Sequence, residues 1–395
     1  MADAIVVGAG LGGLAAAIEL AAKGWRVRVL EAGPMPGGKA GVAVLDGVEV
    51  DTGPSVLTLP DVLDAVLRAG GSSLDAELTL TRPAPAFRYV WPGGDTLDVH
   101  DAPDATLANV RAAFGVAAAE ELAGFLAYAR RIWEAAAPSF VLGPAPSFGG
   151  LLRHGPAVFG LLADIDGTRA MHAAIRARVR HPRLRDVLGR YATYNGSDPR
   201  VAPATLNCIA HVELGLGGVG VRGGVYAIVR ALVRVAQRLG VSFRYDAPVT
   251  RIRVGAGRVV GVDTAEGPLD ARVVVLNADV GALAAGLLAA EAGVSVEEPR
   301  SMSGWTAILR ARRRHGADAC VAHTVLFPER PYLEEFADVF DRDRPPAEPT
   351  VYLCARRAHR LPLRPGGLPR ARRLGRRRAR LRHGERPRRA PRRPA

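Results

Sequence analysis

The chain has 395 residues, of which 48% are apolar and 23% charged, so it is neither fibrous nor wholly disordered and is long enough for two globular domains. The formal net charge of +14 is concentrated in residues 355–395, which contain 17 arginines and one acid, Glu385. Residues 1–354 contain 36 basic and 38 acidic residues, and this nearly neutral body indicates no nucleic-acid partner.

The cysteine pattern and the apolar runs limit where the protein works. Cys208, Cys320 and Cys354 match no metal-binding or redox spacing, which predicts buried thiols, no metal site and a reducing, cytoplasmic setting. The first predicted strand begins within four residues of Met1 and leaves no room for a secretory signal. No apolar run reaches the ~18 residues of a membrane span, so we expect at most a peripheral membrane contact.

The chain opens on a strand, a glycine-rich turn, a helix and a second strand. Apolar residues 4–7 predict a buried strand, and residues 8–13 fit the pattern G-x-G-x-x-G. Residues 14–23 have helical periodicity, and residues 26–30 predict a second strand that ends at Glu31. This order of elements is typical of a βαβ unit that binds adenosine diphosphate, and a glycine-rich turn without a ligand is the alternative.

Each residue type in this unit has a chemical reason. Gly8 permits a tight turn, Gly10 lets the backbone approach a pyrophosphate, and Gly13 allows close contact between helix and strand. The start of the helix offers backbone N–H groups to the phosphates. The carboxylate of Glu31 can accept hydrogen bonds from both ribose hydroxyls, and it disfavours a ribose 2′-phosphate. The predicted cofactor-binding set here is completed by Leu11 and Gly12.

The next segment points to the cofactor. Residues 31–40 read Glu-Ala-Gly-Pro-Met-Pro-Gly-Gly-Lys-Ala and resemble the extended signature of FAD-dependent amine oxidases and carotenoid desaturases. The resemblance implies that the cofactor is FAD. It also implies that Ala32 follows the ribose-binding acid and that Gly37, Gly38 and Lys39 lie along the ribityl–pyrophosphate region. A glycine pair allows a second close backbone approach, and the lysine supplies a charge for phosphate.

Several later motifs make the resemblance specific to one branch of these enzymes. Residues 51–55, Asp-Thr-Gly-Pro-Ser, resemble a stretch of bacterial phytoene-desaturase-type enzymes. They are followed by Arg-Tyr-Ala-Thr-Tyr-Asn-Gly at 190–196, His-Val-Glu at 211–213 and Gly-Gly-Val-Tyr at 223–226. This order is similar to the hydroxycarotenoid 3,4-desaturases (hydroxyneurosporene or methoxyneurosporene dehydrogenases), a branch of the phytoene desaturase family, over residues 4–354. The resemblance implies FAD-dependent desaturation of a hydroxylated acyclic carotenoid, a C40 polyene.

The resemblance also implies a fold. We expect an α/β protein with a Rossmann-like FAD-binding domain of the amine-oxidase and carotenoid-desaturase type and an interleaved α+β substrate domain. The expected segments are the first part of the FAD-binding domain at 1–85, the first, membrane-facing part of the substrate domain at 86–204, the second part of the FAD-binding domain at 205–280, an incomplete second part of the substrate domain at 281–354, and a disordered tail at 355–395.

Two regions of the expected FAD-binding domain are strand-rich. Residues 251–262 predict a hairpin around Gly255 and Gly257, and residues 273–276 predict a buried strand. In the resembled family the backbone near Val249 contacts adenine, and the stretch containing Asn277 and Ala278 returns to the FAD. The alternative is a structural sheet without ligand contacts.

The expected substrate domain is helical and basic. Residues 107–136 have helical periodicity, and apolar residues over 148–162 follow helical spacing until Gly155-Pro156 interrupts it. Six arginines follow between residues 169 and 185. An apolar helical pair beside basic residues fits an anionic membrane surface, where a polyene would enter. A core helix followed by a solvated basic helix is the alternative.

Four residues are candidates for chemistry or substrate contact. The expected reaction removes a hydride, which flavin accepts, and a proton from adjacent carbons. His211 and Glu213 form the candidate acid–base pair, because on a strand their side chains would share a face. Buried structural groups are the alternative. Tyr194 and Asn195 are candidate substrate contacts.

Other functions remain open at this stage. A related polyene desaturase or isomerase would use the same motifs. A non-redox carrier like the Rab escort and GDP-dissociation-inhibitor proteins would bind an isoprenoid without flavin chemistry. A nucleic-acid binder would rest on the tail alone. The sequence gives no indication of the oligomeric state.

The tail has its own explanation. Residues 355–395 contain no Asp, Ser, Thr, Val, Ile or Phe and are expected to be disordered. The chain has only two lysines, Lys23 and Lys39, which is typical of a GC-rich gene, and such a gene read out of frame yields an Arg/Pro/Gly/Ala mixture. We therefore predict a frameshifted tail. Members of the resembled family carry a C-terminal glycine-rich segment against the flavin, so an inactive truncated form is a further alternative.

Overall fold

The computed structural model describes residues 2–143, 160, 164–279, 281, 301–309, 311 and 321–355. Most of the apolar pattern predicted over residues 148–162, Cys320 and the arginine-rich tail lie outside the described residues. Residues 1–356 form one compact unit. Among the described residues, no helix is long and apolar enough to cross a membrane.

A four-stranded parallel sheet forms the first layer. It contains β1 (Ala4–Val7), β2 (Val27–Leu30), β9 (Ser242–Arg244) and β13 (Val273–Leu276), in the spatial order β13-β1-β2-β9. The strands predicted at 4–7, 26–30 and 273–276 are thereby confirmed. The predicted first helix is also present, as α1 (Leu11–Ala22), and begins three residues earlier than its apolar periodicity indicated.

Both faces of this sheet are covered. Helix α1 and a later helix, α9 (Tyr226–Arg238), pack on one face around Leu14, Ile18 and Val229, all fully buried. The other face packs, through Ile5 and other apolar side chains, on an antiparallel sheet made of β10 (Val249–Gly255), β11 (Arg258–Thr264) and β12 (Gly267–Asp270). The hairpin predicted over 251–262 is confirmed as β10 and β11.

A four-stranded mixed sheet, called here the second sheet, belongs to a separate apolar cluster, called here the second core. Its strands are β6 (Phe87–Val90), β7 (Thr96–Val99), β14 (His323–Leu326) and β15 (Val351–Cys354), in the order β15-β14-β6-β7. Strand β14 runs parallel to β6, and the other neighbours are antiparallel.

Long helices cover the second core. The single helix predicted over 107–136 is instead two helices, α4 (Pro103–Phe114) and α5 (Val116–Ala136), because Gly115 has a φ of +92° and breaks the helix between them. Helix α5 packs on the second core through Phe125, Ala129 and Ile132.

The remaining described elements are short. They are β3 (Val42–Leu45), β4 (Val48–Asp51), α2 (Pro60–Ala69), α3 (Leu74–Glu77), β5 (Leu80–Thr81), a π-type turn at Ala137–Val141, α6 (Met171–Arg176), α7 (Pro182–Gly189), 3-10 turns at Arg190–Asn195 and Ala204–Asn207, α8 (Cys208–Ala210), a π-type turn at His211–Gly215, β8 (Gly220–Val221), α10 (Leu333–Phe336) and a π-type turn at Ala337–Asp341.

The chain alternates between the two cores. Residues 4–80 and 221–276 contribute to the parallel sheet and its two covering layers, and residues 86–132, 171–192 and 325–336 contribute to the second core. Ala204, Ala210 and Leu214 also pack in the second core. The change back to the first core therefore falls after the turn at 211–215.

Candidate cofactor and substrate site

The loop between β1 and α1 leaves no room for side chains at its glycine positions. Gly8 has a φ of +97°, and its N–H donates to the carbonyl of Leu30 at 2.8 Å. A Cβ on Gly13 would lie 2.1 Å from the carbonyl oxygen of Gly8, so the first turn of α1 packs directly on the loop. The first N–H groups of a helix have no partner within the helix. The loop and helix therefore present backbone donors and partial positive charge at the carboxyl end of β1.

Glu31 stands at the end of the neighbouring strand β2. Its carboxylate accepts hydrogen bonds from the backbone N–H of Ala9 at 2.7 Å and of Gly33 at 2.9 Å. Ala32 lies between these contacts and is exposed. A carboxylate can accept about four hydrogen bonds, so two acceptor positions remain for the hydroxyls of a ribose.

The second glycine pair, Gly37 and Gly38, packs on the loop between β1 and α1. The N–H of Gly37 donates to the carbonyl of Ala9 at 2.9 Å, and a Cβ on Gly38 would lie 3.4 Å from the Cα of Gly10. Gly37 has a φ of +125°, which glycine adopts without strain. The side chain of Lys39 is exposed beside this contact. Gly10 and Gly38 thus bring two stretches of backbone together where a pyrophosphate would need close approach.

Asn277 and Ala278 lie against the glycine loop from a third direction. The N–H of Asn277 donates to the carbonyl of Val7 at 2.8 Å, which extends the pairing of β13 with β1. The side-chain amide of Asn277 lies so close to the glycine loop that a Cβ on Gly10 would be 2.8 Å from Nδ2 and one on Gly12 would be 2.7 Å from Oδ1. The backbone nitrogen of Ala278 would lie 3.8 Å from a Cβ on Gly8.

Val249 lies near the end of β2 that carries Glu31. It begins β10, packs in the apolar cluster that contains Leu30, and follows Ala247, whose N–H donates to the carbonyl of Glu31 at 2.9 Å. The structure therefore gathers the cofactor-binding residues predicted from the sequence around the carboxyl ends of β1 and β2. The glycine-lined cradle, the helix start and the placed carboxylate fit the adenosine-diphosphate half of FAD.

Asp51 links two motifs that the sequence showed separately. Its carboxylate accepts hydrogen bonds from the N–H groups of Val225 at 2.7 Å and Tyr226 at 3.3 Å, and so caps α9 from outside that helix. The hydroxyl of Tyr226 donates to the carbonyl of Pro36 at 3.1 Å, beside the second glycine pair. Sequence reasoning could have found this contact. The residues that begin α9 have no side chain that can cap a helix, and Asp51 belongs to a motif to which no role was assigned.

Glu213 is the centre of a buried polar cluster. It is 3% exposed and accepts hydrogen bonds from Nη2 of Arg190 at 3.1 Å, from the hydroxyl of Tyr191 at 2.9 Å and from the hydroxyl of Tyr194. Nη2 of Arg190 also donates to the hydroxyl of Tyr89 at 2.9 Å. Burial, reinforced by the negative charge of Glu213, raises the pKa of Tyr191 and Tyr194 well above the usual range, so these hydroxyls stay protonated.

The strand on which His211 and Glu213 were expected to share a face is not present. Residues 211–215 form a π-type helical turn and not a strand, so side chains two positions apart point in different directions. The ring of His211 packs on Gly215, where a Cβ would lie 2.5 Å from Nδ1, and burial lowers the pKa of His211. Tyr194 joins Glu213, whereas Asn195 is exposed at the end of the same 3-10 turn.

A second polar cluster was missed by sequence reasoning. The hydroxyl of Tyr352 lies 2.5 Å from Oγ of Ser55 and 2.7 Å from Nδ1 of His323. His323 is 5% exposed, and its ring lies 5.0 Å from that of Phe87 between ring centres. Burial raises the pKa of Tyr352 to about 12. These residues come from distant parts of the sequence, and only the second sheet brings His323 and Tyr352 onto neighbouring strands.

Two cysteines, Cys208 and Cys354, belong to the described part of the chain. Burial raises the pKa of the Cys208 thiol to about 11, so it is not a thiolate at neutral pH. Cys354 is exposed on β15, contrary to the expected buried thiol. Among the residues that the structure describes, no group of three or more His, Cys, Asp or Glu side chains could hold a metal ion.

The fold and the cradle define an FAD-dependent oxidoreductase, and comparison with known families agrees. The sequence profile of the flavin containing amine oxidoreductases matches residues 11–362, and the chain belongs to this family. The fold is similar to that of a solved putrescine oxidase, with a TM-score of 0.50, 18% identity, and coverage of 71% of this chain and 58% of that one.

Carotenoid enzymes are among the relatives. The chain is 37% identical over 358 residues to hydroxyneurosporene desaturase of Rhodobacter capsulatus. The matched region covers 89% of this chain and 72% of that protein. It is 30% identical to 1-hydroxycarotenoid 3,4-desaturase of a Flavobacterium species, again over 89% of this chain and 72% of the relative.

Proposed function

We propose that this protein uses FAD to desaturate a hydroxylated acyclic carotenoid, adding one conjugated double bond. The observation that carries the proposal is the 37% identity with a hydroxyneurosporene desaturase over 89% of the chain. The complete set of Gly8, Gly10, Gly13 and Glu31 supports it, because an isoprenoid carrier without redox chemistry would have no need of a dinucleotide cradle.

The residues of the cradle have distinct proposed roles. The N–H groups at the start of α1 and the exposed Lys39 hold the pyrophosphate, Glu31 holds the ribose of the adenosine, and backbone near Val249 lies along the adenine. Gly37, Gly38, Asn277 and Ala278 keep the backbone close to the cofactor. When bound, FAD accepts the hydride that leaves the substrate.

The substrate side is proposed to involve Tyr194 and Asn195. Tyr194 is 49% exposed, while its hydroxyl is fixed by the buried Glu213. This arrangement offers an apolar face to a polyene at low entropic cost, because the ring is already held in one orientation. His211 is not proposed as a partner of Glu213, since residues 211–215 form a helical turn, in which side chains two positions apart point in different directions.

A peripheral membrane contact is proposed from an apolar turn. Phe140, Val141 and Leu142 follow α5 directly and are 46%, 50% and 57% exposed. Three consecutive exposed apolar side chains are unusual on a surface that faces only water. Insertion of this turn at a lipid surface would bring the protein to the phase in which a C40 polyene dissolves.

The test is reconstitution with FAD followed by anaerobic incubation with a hydroxylated acyclic carotenoid in liposomes. The expected result is a yellow protein whose flavin band bleaches as the polyene absorption moves to longer wavelength, with a product two hydrogens lighter. A product of unchanged mass would indicate isomerisation. Polyene binding without bleaching would indicate a carrier, and either outcome would refute the proposal.

A further inference from the structure

Ser55, Tyr352 and His323 form a hydrogen-bonded chain, which we name the hydroxyl relay. The Tyr352 hydroxyl is its middle member, 2.5 Å from Ser55 Oγ and 2.7 Å from His323 Nδ1. His323 is buried, and its ring is stacked nearly parallel to that of Tyr352, with ring centres 5.9 Å apart and an angle of 2°. The relay thus runs from a buried anchor at His323 to a partly exposed end at Ser55.

The exposed end lies where the cofactor loop meets the second core. A Cβ on Gly53 would lie 2.0 Å from the carbonyl oxygen of Lys39, so the turn that carries Ser55 packs directly on the loop of the second glycine pair. The next residue, Val56, packs against the second core. Ser55 is therefore two residues, or at most about 7 Å of chain, from a contact with the cofactor-binding loop.

The relay can bind a hydroxyl in either proton arrangement. If Tyr352 donates to His323, Ser55 donates to Tyr352 and the Ser55 oxygen remains able to accept. If His323 donates to Tyr352, Tyr352 donates to Ser55 and the Ser55 hydroxyl can donate outward. A hydroxyl group is the ligand that can be both donor and acceptor, so it matches the Ser55 end whichever histidine tautomer is present.

We propose that the hydroxyl relay binds the hydroxyl group of the carotenoid and makes the protein selective for hydroxylated substrates. This inference rests on the proposed function. In a 1-hydroxycarotenoid that is desaturated at carbons 3 and 4, the hydroxyl-bearing carbon is only two single bonds of about 1.5 Å each from the reacting bond. The group that recognises the hydroxyl must therefore lie near the cofactor, and Ser55 is two residues from the glycine that packs on the cofactor-binding loop.

The size of the effect follows from the exposure of the relay. A buried polar site left unpaired by the wrong substrate can discriminate by roughly 10⁴-fold or more. Tyr352 is 44% exposed and Ser55 is partly exposed, so water can replace a missing hydroxyl at the open end. We therefore expect a preference of roughly 10–100-fold, which corresponds to one or two hydrogen bonds.

The test compares FAD-loaded wild-type protein with Tyr352→Phe, Ser55→Ala and Ser55→Thr on two polyenes of equal length, one with the terminal hydroxyl and one without it. Tyr352→Phe and Ser55→Ala are expected to lower kcat/KM for the hydroxylated polyene about tenfold and to change that for the other polyene less than twofold. Ser55→Thr keeps the hydroxyl and is expected to restore the preference. Tyr128→Phe, which removes a phenol–carboxylate hydrogen bond to Asp166 in the second core, is the matched control and is expected to leave the preference unchanged.

A binding measurement separates this inference from the proposed function. Dissociation constants for the hydroxylated desaturated product and its analogue without the hydroxyl, read from the polyene absorption shift, need no turnover. Weaker binding of the hydroxylated product alone in Ser55→Ala supports the relay even if no turnover is seen and the proposed function fails. Equal losses on both polyenes, an unchanged preference in both variants, or no polyene binding by wild-type protein would overturn the inference.

Discussion

The side-chain amide of Asn277 lies against the backbone of Gly10, at a distance where an added Cβ would come within 2.8 Å of Nδ2. The contact joins the first parallel strand of the chain to the strand at 273–276, about 270 residues later. It shows that the glycine loop is shaped by its neighbours within the protein as well as by the cofactor it would hold. The two kinds of constraint can be separated by substitution.

Alanine at Gly13 and at Gly10 should have different consequences. A Cβ on Gly13 would meet the carbonyl oxygen of Gly8 at 2.1 Å, and this backbone atom cannot move without opening the β1–α1 loop. A Cβ on Gly10 would meet only the Asn277 side chain, which can rotate away. We expect Gly13→Ala to lower the free energy of unfolding by about 1–3 kcal/mol and Gly10→Ala to raise the FAD dissociation constant roughly tenfold with little loss of stability.

Urea unfolding of the apoprotein and fluorescence titration with FAD measure these two effects. Gly124→Ala in α5 is the control, because a Cβ there meets nothing within 4 Å, and it is expected to stabilise the helix slightly. Equal losses of stability in the Gly10 and Gly13 variants would show that Asn277 is as rigid as the backbone.

Glu31→Gln should weaken FAD binding more than it weakens folding. The carboxylate accepts hydrogen bonds from Ala9 and Gly33, and an amide keeps one acceptor oxygen but turns an NH₂ group toward the other N–H. Charge-assisted hydrogen bonds to ribose hydroxyls contribute about 1.5–3 kcal/mol, so the FAD dissociation constant should rise roughly 10–100-fold. Glu19→Gln, at an exposed ion pair with Lys23, is the control. Unchanged affinity in Glu31→Gln would remove Glu31 from the cofactor site.

Local patterns predicted the elements of this site well, and distant contacts escaped them. The strand, glycine loop, helix and strand at the start of the chain were predictable because each element is specified by neighbouring residues. The turn at 211–215 was misjudged, because alternating His-Val-Glu residues fit a strand as well as a short helical segment. Ser55 and Tyr352 are 297 residues apart, and no local spacing indicates that they meet. The break at Gly115 was missed because a single glycine is often tolerated within a helix.

Removing Glu213 should strongly destabilise the protein. Arg190 would keep its charge in a buried position with its main partner gone, and breaking a buried ion pair in this way costs about 3–5 kcal/mol. The change is Glu213→Ala, and the measurement is the free energy of unfolding in urea. Glu134→Ala, which breaks an exposed ion pair with Arg130 on α5, is expected to cost below about 0.5 kcal/mol.

A double variant tests the cause of that loss. Replacing both partners by apolar residues, Arg190→Met with Glu213→Leu, removes the uncompensated charge and should be less destabilising than Glu213→Ala alone. A double variant that is the least stable of the series would show that the aromatic rings around Arg190 depend on the guanidinium for their packing, at ring distances of 5.2–5.8 Å.

The stability of the protein should fall as the pH rises from about 4.5 to about 7 because of Glu335. Burial raises the pKa of this carboxyl from 4.5 to about 7, although the Thr350 hydroxyl donates a hydrogen bond to it at 2.5 Å. A raised pKa in the folded state means that the protonated form is favoured by folding. The resulting stabilisation is fully present below about pH 4.5 and is lost as the pH rises through about 7.

Glu335→Gln provides the measurement, because the amide resembles the protonated carboxyl at every pH. The urea midpoint of wild-type protein should decrease from pH 5 to pH 8 relative to that of the variant. The decrease should be steepest near about pH 6, midway between 4.5 and about 7, and should level off above pH 7. Asp186, whose pKa burial raises to about 6, acts in the same direction in both proteins and cancels from the comparison. Glu329→Gln, at an exposed position, should retain the wild-type pH dependence. Parallel midpoint curves for wild type and Glu335→Gln would mean that the carboxylate of Glu335 is solvated in the folded protein.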